Sequence, residues 1–145
     1  MTTTERRRIE RTFHDNGKVF QEIPFVGDQM TGIFREYHES GSLALENPMV
    51  NRMRHGTCRQ WNEEGTLLGS YEMNMGTGFS KRWHSNGRLK FEAHLINEIF
   101  NGRVRLWLES GELKEETFQI ANRRVSKEEY EQARANNPAL PEYKD

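Results

Sequence analysis

Three histidines stand where they could act together. His14, His38 and His84 each lie three residues before a glycine, at Gly17, Gly41 and Gly87. A row of imidazoles on neighbouring strands could bind a metal such as zinc, with carboxylates or thiols completing the set. Here Asn62 interrupts the row, Leu108 ends it, and the single cysteine, Cys58, lies outside it. The histidines are therefore expected to be exposed strand-end residues beside turns, and no metal centre is expected. Catalytic constellations are equally thin. The three aspartates, Asp15, Asp28 and Asp145, fall in turn-like stretches or the tail, and Gly76-Thr77-Gly78 is a lone Gly-x-Gly without a phosphate-loop context. No Gly-x-Ser-x-Gly elbow or Walker motif is present. The expectation is a chain that is not an enzyme and takes no cofactor.

A second pattern is better suited to binding. Arg35 and Tyr37, Arg59 and Trp61, Lys81 and Trp83, and Arg105 and Trp107 are base–aromatic pairs two residues apart. On a strand such residues share one face. Alternating bases and rings could stack a single-stranded nucleic acid or touch a lipid surface. They could also anchor a protein partner, since aromatic and arginine side chains dominate protein interfaces. The alternative is that the rings are core, with the basic stems lying over them. Met30, Met49, Met53, Met73 and Met75 could add adaptable contacts.

The elements that must position these pairs follow from a repeat. An aromatic residue four places before a glycine, with an aliphatic two places after it, occurs as Phe13…Gly17…Val19, Tyr37…Gly41…Leu43, Trp61…Gly65…Leu67, Trp83…Gly87…Leu89 and Trp107…Gly111…Leu113. The glycines step by 24, 24, 22 and 24 residues. The triplets that end at them, such as Asp-Asn-Gly and Ser-Asn-Gly, suit a three-residue hairpin loop: a type I turn followed by a left-handed residue. That register sets each aromatic directly opposite its aliphatic. A second glycine, at Gly32, Gly56, Gly78 and Gly102, is expected to mark the opposite turn that joins one hairpin to the next. A basic column (Arg11, Arg35, Arg59, Lys81, Arg105) and an acidic one (Glu22, Glu46, Glu92, Glu116, broken by Ser70) would then be offset by one residue, on opposite faces.

The expected fold is mainly β: a repetitive antiparallel β-hairpin meander, an open sheet of about five repeats, with a short C-terminal capping helix. Residues 1–8 read as a flexible basic tail, residues 9–125 as the hairpin array and residues 126–145 as the helix and tail. Ser126 and Glu129 form a capping box, which starts the helix. Asn136-Asn137-Pro138 ends it, because the residue before proline avoids helix. Tyr130 and Ala133 should pack on the last strands, and the tail should fold back through Leu140 and Pro141.

From one second glycine to the next, the units Thr31-Gly32…Tyr37…Gly41-Ser42-Leu43, His55-Gly56…Trp61…Gly65-Thr66-Leu67, Thr77-Gly78…Trp83…Gly87-Arg88-Leu89 and Asn101-Gly102…Trp107…Gly111-Glu112-Leu113 resemble the MORN-variant repeat of the YwqK-type antitoxin family. The resemblance covers roughly residues 10–120. It implies a non-catalytic, protein-binding array, often of the antitoxin or immunity type in bacteria, whose partner is a toxin or effector. Peripheral lipid or nucleic-acid binding through the base–aromatic face is the alternative.

The bulk composition agrees. Net charge is −1, which supplies no general attraction to nucleic acid or anionic lipid. Leu, Ile, Val and Phe make up only about one residue in five, which suits a sheet wet on one face. No apolar stretch follows Arg6, Arg7 and Arg8, so a secretory signal is not expected. No apolar run approaches the ~18 residues of a membrane span. One thiol is consistent with a reducing compartment, and a cytoplasmic location is expected.

Overall fold

The computed structural model describes residues 6–144. It is mainly β, an open antiparallel hairpin meander of thirteen strands among the described residues, with one C-terminal helix. Two compact units divide the chain, Met1–Met75 and Gly76–Asp145.

The first unit holds β1 (Arg7–Phe13), β2 (Val19–Val26), β3 (Gln29–Met30), β4 (Gly32–Tyr37), β5 (Leu43–Val50), β6 (Met53–Arg54), β7 (Gly56–Trp61) and β8 (Leu67–Asn74). Its strand order is β1-β2-β4-β5-β7-β8, with β3 beside β2 and β6 beside β5. β1 starts at Arg7 and so takes in part of the expected tail, the rest of which lies largely outside the described residues. The second unit holds β9 (Thr77–Trp83), β10 (Leu89–Ile96), β11 (Ile99–Trp107), β12 (Leu113–Ile120), β13 (Arg123–Val125) and α1 (Lys127–Arg134), with the strands in chain order.

The five glycine tips are hairpin loops of the expected kind. At the fourth, the His84 amide donates to the Arg88 carbonyl at 2.8 Å and the Gly87 amide donates to the His84 carbonyl at 2.9 Å. That is a type I turn closed by a left-handed residue, and Gly87 has φ +90°. The aromatic–aliphatic pairs follow: Phe13↔Val19, Tyr37↔Leu43, Trp61↔Leu67, Trp83↔Leu89 and Trp107↔Leu113.

One expectation fails just beyond each tip. The falling strand carries an extra, unpaired residue: Phe20, Ala44, Leu68, Lys90 and Lys114. Such a bulge shifts the remaining register by one. The basic and acidic columns, expected on opposite faces, become direct partners on one face: Arg11↔Glu22, Arg35↔Glu46, Lys81↔Glu92 and Arg105↔Glu116.

The far turns also differ from expectation. Four of their corners, Asn51-Arg52, Met75-Gly76, Asn97-Glu98 and Ala121-Asn122, have positive φ at both residues, and the first, Gly27-Asp28, has it at Gly27. Two such residues make the type I′ turn, whose twist matches that of paired strands. The second glycines come later. Gly32 and Gly56 open β4 and β7, while Gly78 and Gly102 lie inside β9 and β11. They serve close approach rather than chain reversal: a Cβ on Gly32 would lie 2.9 Å from the Cβ of Pro24 on the neighbouring strand.

The face opposite the charged row is the core. Leu45, Cys58, Tyr71 and Met73 are buried in the first unit, and Ser80, Ala93, Leu95 and Val104 in the second. Cys58 is a small, wholly covered strand residue opposite Tyr71. Met73 is core and presents no adaptable surface.

The array ends on a helix. The Ser126 hydroxyl accepts from the Glu129 amide at 3.0 Å, and Glu128 and Glu129 sit in the positive first turn. α1 and the tail make a small core in which Phe118, Val125, Tyr130 and Leu140 are buried and Ile120, Ala133 and Tyr143 pack around them. The Tyr130 hydroxyl donates to the Pro141 carbonyl at 2.7 Å, which holds the tail back against the helix as its sequence suggests.

Candidate protein-binding face

The eight candidate residues divide between the units, and within each unit they share one face. In the first unit the charged row runs Arg11, Glu22, Arg35, Glu46, Arg59, each opposite the next across adjacent strands. In the second it runs Lys81, Glu92, Arg105, Glu116. The bulges create this alternation, because every rising strand contributes a base and nearly every falling strand an acid.

The ion pairs are formed. Arg11 Nε lies 3.1 Å from Glu22, Arg35 Nε 3.1 Å from Glu46, Lys81 Nζ 3.7 Å from Glu92 and Arg105 Nε 2.6 Å from Glu116. Arg59 has Ser70 opposite it in its own hairpin and turns instead to Glu46 of the previous one, at 3.8 Å. Glu46 thus holds two arginines, one on each side. Each partly exposed pair contributes only roughly 0–1 kcal/mol. Their larger consequence is neutrality: the basic column is interleaved with acids, so the face carries no band of positive potential.

Tyr37 differs from the tryptophans in its column. Its hydroxyl donates to Glu22 Oε1 at 2.6 Å. That bond, helped by Arg11, holds the Glu22 carboxyl below its ordinary range despite partial burial, while burial and the same carboxylate push the Tyr37 phenol up. A depressed carboxylate stabilises the fold at pH above its unfolded value of 4.5, and this contribution is lost as pH falls through the folded value. Tyr37→Phe removes the largest cause. The Glu22 side-chain titration followed by NMR should move up, towards 4.5, and the acid unfolding midpoint should move up with it. An unchanged Glu22 titration would exclude the bond as the cause.

The rest of the face is apolar and open. Phe13, Leu67 and Leu113, three members of the tip pairs, are 60 %, 49 % and 50 % exposed. Tyr37, Trp61, Trp83 and Trp107 are half-buried, so the rings are neither sealed core nor free platforms.

The histidine column has a role that its sequence did not reveal. His14, His38 and His84 donate through Nε2 to the carbonyls of Tyr37, Trp61 and Trp107, at 2.8, 3.0 and 2.9 Å. Each histidine therefore fixes the tip of the following hairpin by its ring residue and is half-buried in doing so. A matching device runs along the far turns. The side chains of Thr31, His55, Thr77 and Asn101 accept from the amides of Asn51, Met75, Asn97 and Ala121. The sequence signal was present, because the residue before each second glycine always carries a side-chain acceptor.

Residues 9–26 and 30–51 match the MORN repeat variant family. These are the first two hairpins, and the later three repeat their tip register and bulge. No curated protein matches the chain. No helix among the described residues is long and apolar enough to cross a membrane. The first two hairpins are thus similar to the MORN repeat variant, and the three later ones share their tip register.

Proposed function

We propose that the chain is a non-catalytic protein-binding module, and that within each unit the face bearing the charged row and the ring column is a docking surface. MORN repeats are generally binding modules. The observation that carries the choice of a protein partner is the neutral row beside exposed apolar tips. Lipid and nucleic acid demand unopposed positive charge, whereas the bases here are matched by Glu22, Glu46, Glu92 and Glu116. A protein surface can use what remains: in the first unit Trp61 as a half-buried anchor beside Leu67, with Arg35 and Arg59 as its polar surround, and in the second Trp83 and Trp107 beside Leu113, with Lys81 and Arg105.

The resemblance to YwqK-type units supports a finer reading, an antitoxin or immunity-type protein of a bacterial cytoplasm whose partner is a toxin or effector. Affinity capture from the native cell, followed by titration with the recovered partner, tests both levels. Trp61→Ala and Trp107→Ala should each weaken the complex by about tenfold or more while the fold is kept, and affinity should change little with salt. A steep fall of affinity with salt and indifference to both substitutions would overturn the proposal in favour of the anionic ligands.

A further inference from the structure

The two ends of the array are treated differently by the fold. Among the described residues β1 pairs with β2 alone, and every residue from Arg7 to Phe13 is exposed. No described strand covers its outer row of backbone donors and acceptors. At the other end β13 pairs only with Phe118, Gln119 and Ile120 of β12. The stretch Leu113–Glu116 is exposed.

The second vacancy has a definite shape. β3 and β6 are short strands beside the far half of a falling strand, and each is followed by a second glycine and then a rising strand beside the near half. β13 occupies the corresponding place beside β12. Ser126 stands 15 residues after Gly111, as Gly32 and Gly56 stand after Gly17 and Gly41. There the chain enters α1 in place of a sixth rising strand. The seat of that strand, along Leu113–Glu116, stays empty.

We propose that β1 of a second copy of this chain fills that seat, so that copies join head to tail. β1 is a rising strand with the right pattern. Within the first unit the register across such a seam is constant: Gln21↔Glu36 with Glu22↔Arg35, then Leu45↔Gln60 with Glu46↔Arg59. Transferred to the open ends, it sets Glu115 opposite Thr12 and Glu116 opposite Arg11 of the next copy. Glu46 shows how the charge is shared, taking Arg35 on one side and Arg59 on the other. Glu116 holds Arg105 and has its outer side turned to the empty seat. Charged edges normally keep strands apart. Here β1 carries Arg7, Arg8 and Arg11 against the one acid Glu10, and Leu113–Glu116 carries Glu115 and Glu116 against the one base Lys114, so each edge repels its own kind and attracts the other. A seam of this type is heterologous, which predicts oligomers larger than a dimer, as rings or open series. The proposal goes beyond the protein-binding reading and stands if that reading fails.

Sedimentation velocity of the full chain from low micromolar to near millimolar concentration should show a mass that climbs steadily. R11E and E116R, each alone, should weaken self-association by about tenfold, and an equimolar mixture of the two should restore it, because each new seam pairs opposite charges. A second test does not depend on those variants folding. T12C copies mixed with E115C copies should form a disulfide-linked heterodimer under mild oxidation, since directly opposed strand residues lie within disulfide reach. R8C copies, about 13 Å further along the strand, should not. A mass that stays monomeric at every concentration, association unaltered in R11E and E116R, or equal cross-linking by T12C and R8C would each overturn the proposal.

Discussion

Tyr130→Ala should lower the stability of the Gly76–Asp145 unit by about 3–5 kcal/mol, the usual cost of emptying a wholly buried aromatic site. Tyr130 is 0 % exposed and touches everything that closes the array. Its ring lies 5.1 Å from that of Phe118 and 6.1 Å from that of Tyr143, and its hydroxyl holds the Pro141 carbonyl. Loss of the ring loosens the tail as well as opening a cavity, leaving it to the Arg103 amide, which donates to Tyr143, and the Arg103 guanidinium, which lies 4.1 Å above the Tyr143 ring. Urea denaturation should show the loss, and hydrogen exchange should place it in β12, β13 and the tail. Tyr130→Phe keeps the ring and removes one hydrogen bond, so its cost should be only about 1–2 kcal/mol. Equal losses in the two variants would mean that the hydroxyl, rather than packing, holds the cap.

Gly102→Ala should cost about 2–4 kcal/mol, from two sources acting together. Its backbone has φ +142°, where a side chain is strained by about 1–3 kcal/mol. The added Cβ would also stand 2.9 Å from the Cβ of His94 and 2.7 Å from the Tyr143 hydroxyl. Neither neighbour moves cheaply, since His94 is buried and bonded to the Asn101 carbonyl, and Tyr143 is fixed by Arg103. Gly87→Ala is the control. At φ +90° it carries the backbone strain, but nothing lies within 4 Å of the new Cβ. Its urea midpoint should fall by roughly half as much as that of Gly102→Ala. A larger fall at Gly87 would show that conformation outweighs crowding in these repeats.

The two glycines also mark how far the chain could be read from its sequence. Gly87 was legible because a polar pair before a glycine has one common use between paired strands, and five evenly spaced copies fix one register. Gly102 was misplaced because a glycine near a reversal looks the same whether it forms the corner or follows it by four residues. The corners themselves fall on pairs such as Asn97-Glu98 and Ala121-Asn122, which carry only a faint left-handed signal. The bulges were invisible for a plainer reason: Phe20, Ala44, Leu68, Lys90 and Lys114 share no residue type. Yet they decide the candidate face. Without them the bases would stand apart from the acids, and Arg35 with Arg59 in one unit, and Lys81 with Arg105 in the other, would form positive patches suited to phosphate. With them each base meets a carboxylate.

The forward-reaching histidines and turn acceptors carry a consequence for how such a chain can change its length. The first, second and fourth hairpins bring the histidine that secures a tip 23 residues on, and Thr31, His55, Thr77 and Asn101 each secure a corner 20 residues on. A duplicated hairpin would arrive with its own fasteners and find the receiving atoms already in place, since those atoms belong to the main chain. Growth or shortening by a whole hairpin therefore needs no compensating substitution elsewhere. The extent of the surface offered to a partner becomes a heritable variable that can be adjusted in equal steps.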